Sequence, residues 1–128
     1  MKEFHGEYKG EALATVNSTN TAAAVGSGSL PVFATPMMLA LMEEATCEAA
    51  SAILDDGETT VGIKVEITHD KASAMGATVS ASAKLEAVDG RRLVFSVSAK
   101  DDNSNIIGKG TIERFVVNCD KFMKKVNG

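Results

Sequence analysis

The sequence predicts an α+β fold: an antiparallel sheet of about five strands wrapped around one long central helix, with a short helix at the C-terminus. Three observations predict it. The run from Thr35 to the Asp55-Asp56-Gly57 stop is apolar over most of a helical circumference. After Gly57 the hydrophobic period changes from 3.6 to 2 and stays there through four consecutive segments. Each of those segments puts polar residues at its alternate positions, the pattern of antiparallel strands with one solvated face. A helix this apolar must be covered on several sides, and a single curved sheet does that.

Glu7 to Val16 reads as the first strand, with Tyr8, Ala12, Ala14 and Val16 on one face. Asn17 to Leu30 is small and polar, with two glycines and no strong period. It reads as a mobile loop with room for one helical turn. The helix follows. Thr35 is a good N-cap type, Pro36 suits the first helical position, and Gly57 falls in the region where helices stop. In the next segment Val61, Ile63, Val65, Ile67 and His69 share one face, and Gly62, Lys64, Glu66, Thr68 and Asp70 share the other. Ala77 to Ala87 alternates without a break, with Thr78, Ser80, Ser82, Lys84 and Glu86 on its polar side. Asp89-Gly90 is the strongest hairpin signal in the chain. The return strand turns Leu93, Phe95, Val97 and Ala99 inward. Asp101 to Asn105 is a second turn. Ile106 to Val117 is the next strand, where Gly108 and Gly110 mark a bulge or a close backbone approach. Asp120 to Val126 reads as a short amphipathic helix.

Residues 1–128 form one domain on length alone, able to bury roughly two-thirds of its unfolded surface without disulfides or metal. Hydrophobic residues make up 45% and charged residues 23%, which excludes a disordered chain. A net charge of −4 disfavours nucleic acid as a partner, because phosphate binding needs Lys/Arg clusters. Arg91, Arg92, Lys121, Lys124 and Lys125 are the available cations for a small phosphorylated ligand, and such charges are usually plain solvated residues. Cys47 and Cys119 lack CxxC neighbours and read as reduced and structural. The N-terminus has no apolar h-region, and no apolar run approaches ~18 residues. A cytoplasmic protein without a membrane span is expected.

Three residues could carry chemistry. Glu44, Glu48, Ser51 and Asp55 form one polar helical stripe, and Glu43 lies about 100° off it, beside Leu39, Cys47 and Ala50. Burying an unpaired carboxylate costs several kcal/mol, so such a residue is expected to be paired or used. Thr35 stands at the helix N-terminus, about 12 Å down the axis from Glu43. His69 ends a strand on its apolar face. Each has a plainer reading: an N-cap, a helix-rim or interface carboxylate, a satisfied core histidine. His5, in a polar N-terminus, reads as surface.

The run Val32-Phe33-Ala34-Thr35-Pro36 through Cys47 resembles the helix region of the fluoroacetyl-CoA thioesterase family, small hotdog-fold acyl-CoA thioesterases. Val61-Gly62 with Ile67-Thr68-His69, Glu86 to Leu93, Gly110 to Arg114 and Asp120-Lys121-Phe122 match in the same order. The resemblance implies a hotdog fold and hydrolysis of a small acyl-CoA thioester. It implies Thr35, Glu43 and His69 as the catalytic set, Gly62 as a backbone contact to the acyl carbonyl, and Arg114 near the site. His69 would exchange a proton with Thr35 or a water, Glu43 would orient His69 or act as base, and N–H groups at the helix N-terminus or Gly62 would hold the oxyanion. Phe33 and Met38, with Met37 and Met42 beside it, are candidate pocket walls, methionines being core filler as often as not. No cofactor is implied beyond the CoA of the substrate, and no metal. The partners implied are acyl-CoA and a second copy of the chain, with active sites at the subunit boundary. Thr19 to Leu30 has no aromatic residue where the family carries aromatic lid residues, which implies a small or aliphatic acyl group rather than selection for fluorine. A non-catalytic acyl-CoA-binding module, or a structural oligomer with Glu43 and His69 paired across its interface, uses the same residues. No hydratase signature is present.

Overall fold

The computed structural model describes residues Met1–Gly128. In chain order the elements are β1 (Lys9–Thr15), α1 (Ala22–Val25), α2 (Thr35–Ser51), β2 (Glu58–His69), β3 (Thr78–Asp89), β4 (Arg92–Lys100), β5 (Ile106–Asn118) and α3 (Cys119–Asn127). The strands form one antiparallel sheet in the order β1-β3-β4-β5-β2. The sheet curls around α2, which packs mainly on β1 and β3. Met38, Met42, Phe95, Ile107 and Ile112 are fully buried between helix and sheet. Two glycines permit the close wrap. A Cβ at Gly10 would collide with the Ala45 carbonyl and stand 2.6 Å from the Ala49 nitrogen. One at Gly108 would stand 2.7 Å from Met38 Cε, so that glycine marks a close approach, and β5 also bulges beside it at Ile107.

The β3–β4 hairpin turns at Gly90-Arg91, with Asp89 paired to Arg92 and Gly90 at φ +60, and β4 buries Leu93, Phe95, Val97 and Ala99 as its alternation dictates. Four features depart from the simple periodicities. First, α2 ends at Ser51, four residues before Asp55. The chain turns there to sink Ile53 into the core, and Gly57 (φ +81) serves the turn into β2 instead. Second, Ala34 is the N-cap residue of α2, and the Thr35 hydroxyl is committed elsewhere. Third, the pairing of β2 with β5 slips between Gly62 and Lys64, leaving Ile63 as an extra residue. The slip puts Thr60 and Gly62 on the helix side, with Val61 on the other face, and Ile63 and Val65 are 51% and 41% exposed. Fourth, a bulge at Glu86 ends the unbroken alternation of β3, so Ala87 is exposed and Val88 packs on the core.

The loop from 17 to 34 carries its helical turn as α1. Its base is pinned: Asn20 Nδ2 donates to the Thr15 carbonyl, Ala34 N donates to the Asn20 carbonyl, and Ala22 N donates to the Val32 carbonyl. No helix is long and apolar enough to cross a membrane.

Candidate active site

Thr35 opens α2 and is presented by a strand-like approach in which Phe33 N donates to the Ser73 carbonyl. His69 closes β2 opposite Gly108. Thr35 Oγ1 and His69 Nδ1 share a 2.7 Å hydrogen bond. His69 Nε2 is buried and has no partner. The pair lines a cavity of about 380 Å³ whose wall is completed by Ser27, Gly28, Ser29, Leu30, Phe33 and Lys71. A larger concavity of about 950 Å³ lies on the solvent face of the sheet, over Ser82, Ser98 and Thr111, and touches none of the candidate residues.

A second cluster forms two turns up α2. Glu43 Oε2 accepts from Arg114 Nη1 at 3.0 Å. Arg114 is 7% exposed and directs its remaining donors at one residue: Nε to Thr60 Oγ1 at 2.8 Å and Nη2 to the Thr60 carbonyl at 3.0 Å. Gly62 leaves the room: a Cβ there would stand 3.1 Å from Glu43 Oε2.

Five of the seven candidates thus separate into two groups within the chain. Thr35 meets His69, and Glu43 meets Gly62 and Arg114. Glu43 is neither buried nor unpaired, with a side chain 36% exposed and charge-matched by a guanidinium. It makes no hydrogen bond to His69 within the chain, so the expected orienting contact does not form there. The groups are about 12 Å apart along α2 and roughly 20 Å apart along β2. Phe33 lines the cavity, while Met38 lies wholly in the core over Gly108 and does not. Period-2 reading missed Thr60. A glycine inside a strand, Gly62, was the available sign of the bulge that turns Thr60 inward. No group of three or more His, Cys, Asp or Glu side chains converges.

A curled antiparallel sheet around one long helix defines the class of fold, the hotdog, and the relatives define its chemistry, thioester hydrolysis. The family model for the fluoroacetyl-CoA-specific thioesterase FlK matches residues 16–120. The fluoroacetyl-CoA thioesterase of Streptantibioticus cattleyicolor is 44% identical over 95 residues, 74% of this chain and 68% of that protein. A crystal structure of FlK aligns over 98% of this chain and 97% of its own, at 33% identity and a TM-score of 0.87. A thioesterase-superfamily protein of Thermus thermophilus aligns over 99% and 93%, at 26% identity and a TM-score of 0.90. The chain belongs to the FlK family of thioesterases.

Proposed function

We propose that this chain hydrolyses a small or aliphatic acyl-CoA thioester to the free acid and CoA, with Thr35, His69 and Glu43 as the reacting set. The observation that carries the reading is the 2.7 Å Thr35–His69 contact in the wall of a cavity, in a chain of this family. With the ring proton on Nε2, the Thr35 hydroxyl donates to Nδ1. His69 then accepts the proton as Thr35 Oγ, or a water held by it, attacks the thioester carbonyl. Collapse of the tetrahedral intermediate breaks the C–S bond, and the CoA thiolate leaves with the electron pair and takes up the proton from His69. Where Thr35 Oγ attacked, water then cleaves the acyl–Thr35 ester with His69 as base and releases the acid.

A second copy of the chain completes the site in this reading. β2 is an edge strand with exposed Ile63 and Val65, and an unpaired edge is a template for another strand. With Ile63 as the extra residue, a two-fold axis at Glu66 sets Gly62 of one β2 opposite His69 of the other. That register brings Glu43 of one copy toward the Thr35–His69 pair of the second. It also supplies an oxyanion donor. Pro36 has no N–H, and the Met37 and Met38 N–H groups are turned onto the Ala34 carbonyl, so the Gly62 N–H of the other copy is the better candidate.

The cavity wall includes the segment Ser27, Gly28, Ser29 and Leu30, which is poor in large side chains. The fluoroacetyl specificity of the relatives is therefore not carried over. The experiment is a thiol-release assay over a panel of acyl-CoAs, with Thr35→Ala, Glu43→Gln and His69→Ala beside the wild type. Turnover of short acyl-CoAs that falls at least 100-fold in each variant is expected. Acyl-CoA binding without turnover on any thioester would replace the enzyme with a binding module.

A further inference from the structure

The chain leaves β2 at His69 and is seized at once. Asp70 N and Lys71 N both donate to the Ile107 carbonyl, at 2.6 and 3.2 Å. The Asp70 bond is the next rung of the β2–β5 ladder after His69–Gly108, and on its other side β5 bulges at Ile107 against β4, where Ala99 pairs with Gly108 and Lys100 with Ile106. Lys71 Nζ then crosses to Asp101 Oδ2 at 2.9 Å. Asp101 sits in the exposed β4–β5 turn, yet its side chain is only 8% exposed. Asn103 N and Asn105 N donate to its Oδ1 and Asn105 Nδ2 to its Oδ2, while Ser104 closes the turn at φ +63. The ammonium of Lys71 and these amide donors hold the Asp101 carboxyl down to about 2. The turn is a ring of donors around one carboxylate, and Lys71 is its link to the site.

Lys71 is the one lysine or arginine in the cavity wall, and with its ammonium on Asp101 it acts as a strut rather than as a free cation for substrate. His69 needs such a strut. Within its own chain the ring has a single hydrogen bond, to Thr35, and nothing at Nε2. One bond leaves an imidazole free to swing about it, so its direction is set by the backbone from which it projects.

We propose that Lys71 and Asp101 are positioning residues that aim His69 at Thr35 by clamping residues 70–71 to the β4–β5 turn; this rests on the reading of Thr35 and His69 as the reacting pair. A partly exposed ion pair contributes little to stability, whereas an ångström of misplacement at a reacting group costs up to about 100-fold in rate. The signature is therefore loss of rate without loss of fold.

The test uses full-length protein with Lys71→Met, Asp101→Asn, the double variant and Lys71→Arg. Two measurements are made: kcat and KM on the acyl-CoA turned over fastest, and imidazole ¹⁵N NMR. The chain has two histidines, and His5 pairs with Glu3 on the surface, so the His69 signals are assignable by His5→Gln. Expected are a kcat lower by about 10-fold with KM within about twofold, a double variant no worse than either single one, recovery in Lys71→Arg, and a shifted His69 Nδ1 signal in Lys71→Met and Asp101→Asn. A raised KM with kcat preserved would make Lys71 a substrate contact and overturn the strut. So would an unshifted Nδ1 signal in both variants. The NMR arm needs no turnover, so a protein inactive on every thioester would defeat the hydrolase reading and still decide this one.

Discussion

Arg114 on β5 donates to Glu43 on α2 across 3.0 Å, and the same guanidinium holds Thr60 of β2 by its hydroxyl and its carbonyl. One side chain thereby joins the helix to the edge strand. Replacing it with methionine leaves the Thr60 carbonyl and hydroxyl without their donor in a buried place, and Glu43 without its counter-charge. Glu43 is partly solvated, so the cost falls below that of a fully buried pair: about 2 kcal/mol. Lysine keeps the charge but cannot make the three-way fork, and recovers less than half. Urea unfolding of Arg114→Met and Arg114→Lys measures both, and a loss below about 0.5 kcal/mol in Arg114→Met would show that the network carries no stability.

Gly62 is held small by that same carboxylate. An added methyl would stand 3.1 Å from Glu43 Oε2 and 3.5 Å from Arg114 Nη1, so the flexible Glu43 head has to give by a few tenths of an ångström. Gly62→Ala is expected to fold, with its melting temperature within about 3 °C of wild type, and to lose thioester turnover by at least 10-fold as Glu43 moves. Full activity in Gly62→Ala would remove Glu43's position from the account of turnover. Gly10→Ala is the contrast. Its methyl meets helix backbone at Ala45 and Ala49, which cannot step aside, so a loss of about 3 kcal/mol or more is expected in the same assay.

The fold was largely legible because two periods and one hairpin signal specify it. The 3.6-residue run of α2 and the alternation of β4 each point inward in a single phase, and Asp89-Gly90 fixes the hairpin between β3 and β4. The site was less legible because bulges invert that phase locally. Period 2 carried Val61 onto the helix side with His69. The extra residue at Ile63 sends Val61 outward and brings Thr60 and Gly62 in. Glu43 looked uncomfortable for a different reason: its partner Arg114 lies 71 residues away, and no helical wheel contains it. Gly62 and Arg114 were reachable through family resemblance. Lys71 and Asp101 were not, since their link depends on how the chain leaves β2 and on a turn that conceals a carboxylate.

The exposed edge of β2 makes a prediction about assembly. Ile63 and Val65 face solvent in the single chain, where hydrophobic side chains on an unpaired strand favour a partner. If two copies pair there, Val65→Lys sets like charges near the proposed axis and should halve the mass seen by light scattering at micromolar concentration. Turnover should fall with it, because Glu43 and the Thr35–His69 pair are separated in each chain. A monomeric wild type that is fully active would put the whole site within one copy.

Acid stability offers a check on the Asp101 turn. The carboxyl of Asp101 titrates at about 2 in the folded chain, chiefly through its hydrogen bond to Lys71 and then through the Asn105 amide, against an ordinary aspartate value near 4 in the unfolded chain. A lowered folded value means that the ionised form is the one the fold favours. Its contribution is complete above about pH 4 and disappears as pH falls from there toward 2. Glu58 is held at about 2 as well, first by the Met1 ammonium and then by the Asp55 N–H, so wild-type protein has two carboxylates losing stability in one window. Asp101→Asn removes one of them. Its unfolding free energy should be lower than wild type at pH 6, and the gap should narrow steadily between pH 4 and pH 2. Chemical denaturation at a series of pH values reads that difference directly. A constant gap across the window would mean that the turn holds Asp101 by shape alone and that its charge contributes nothing.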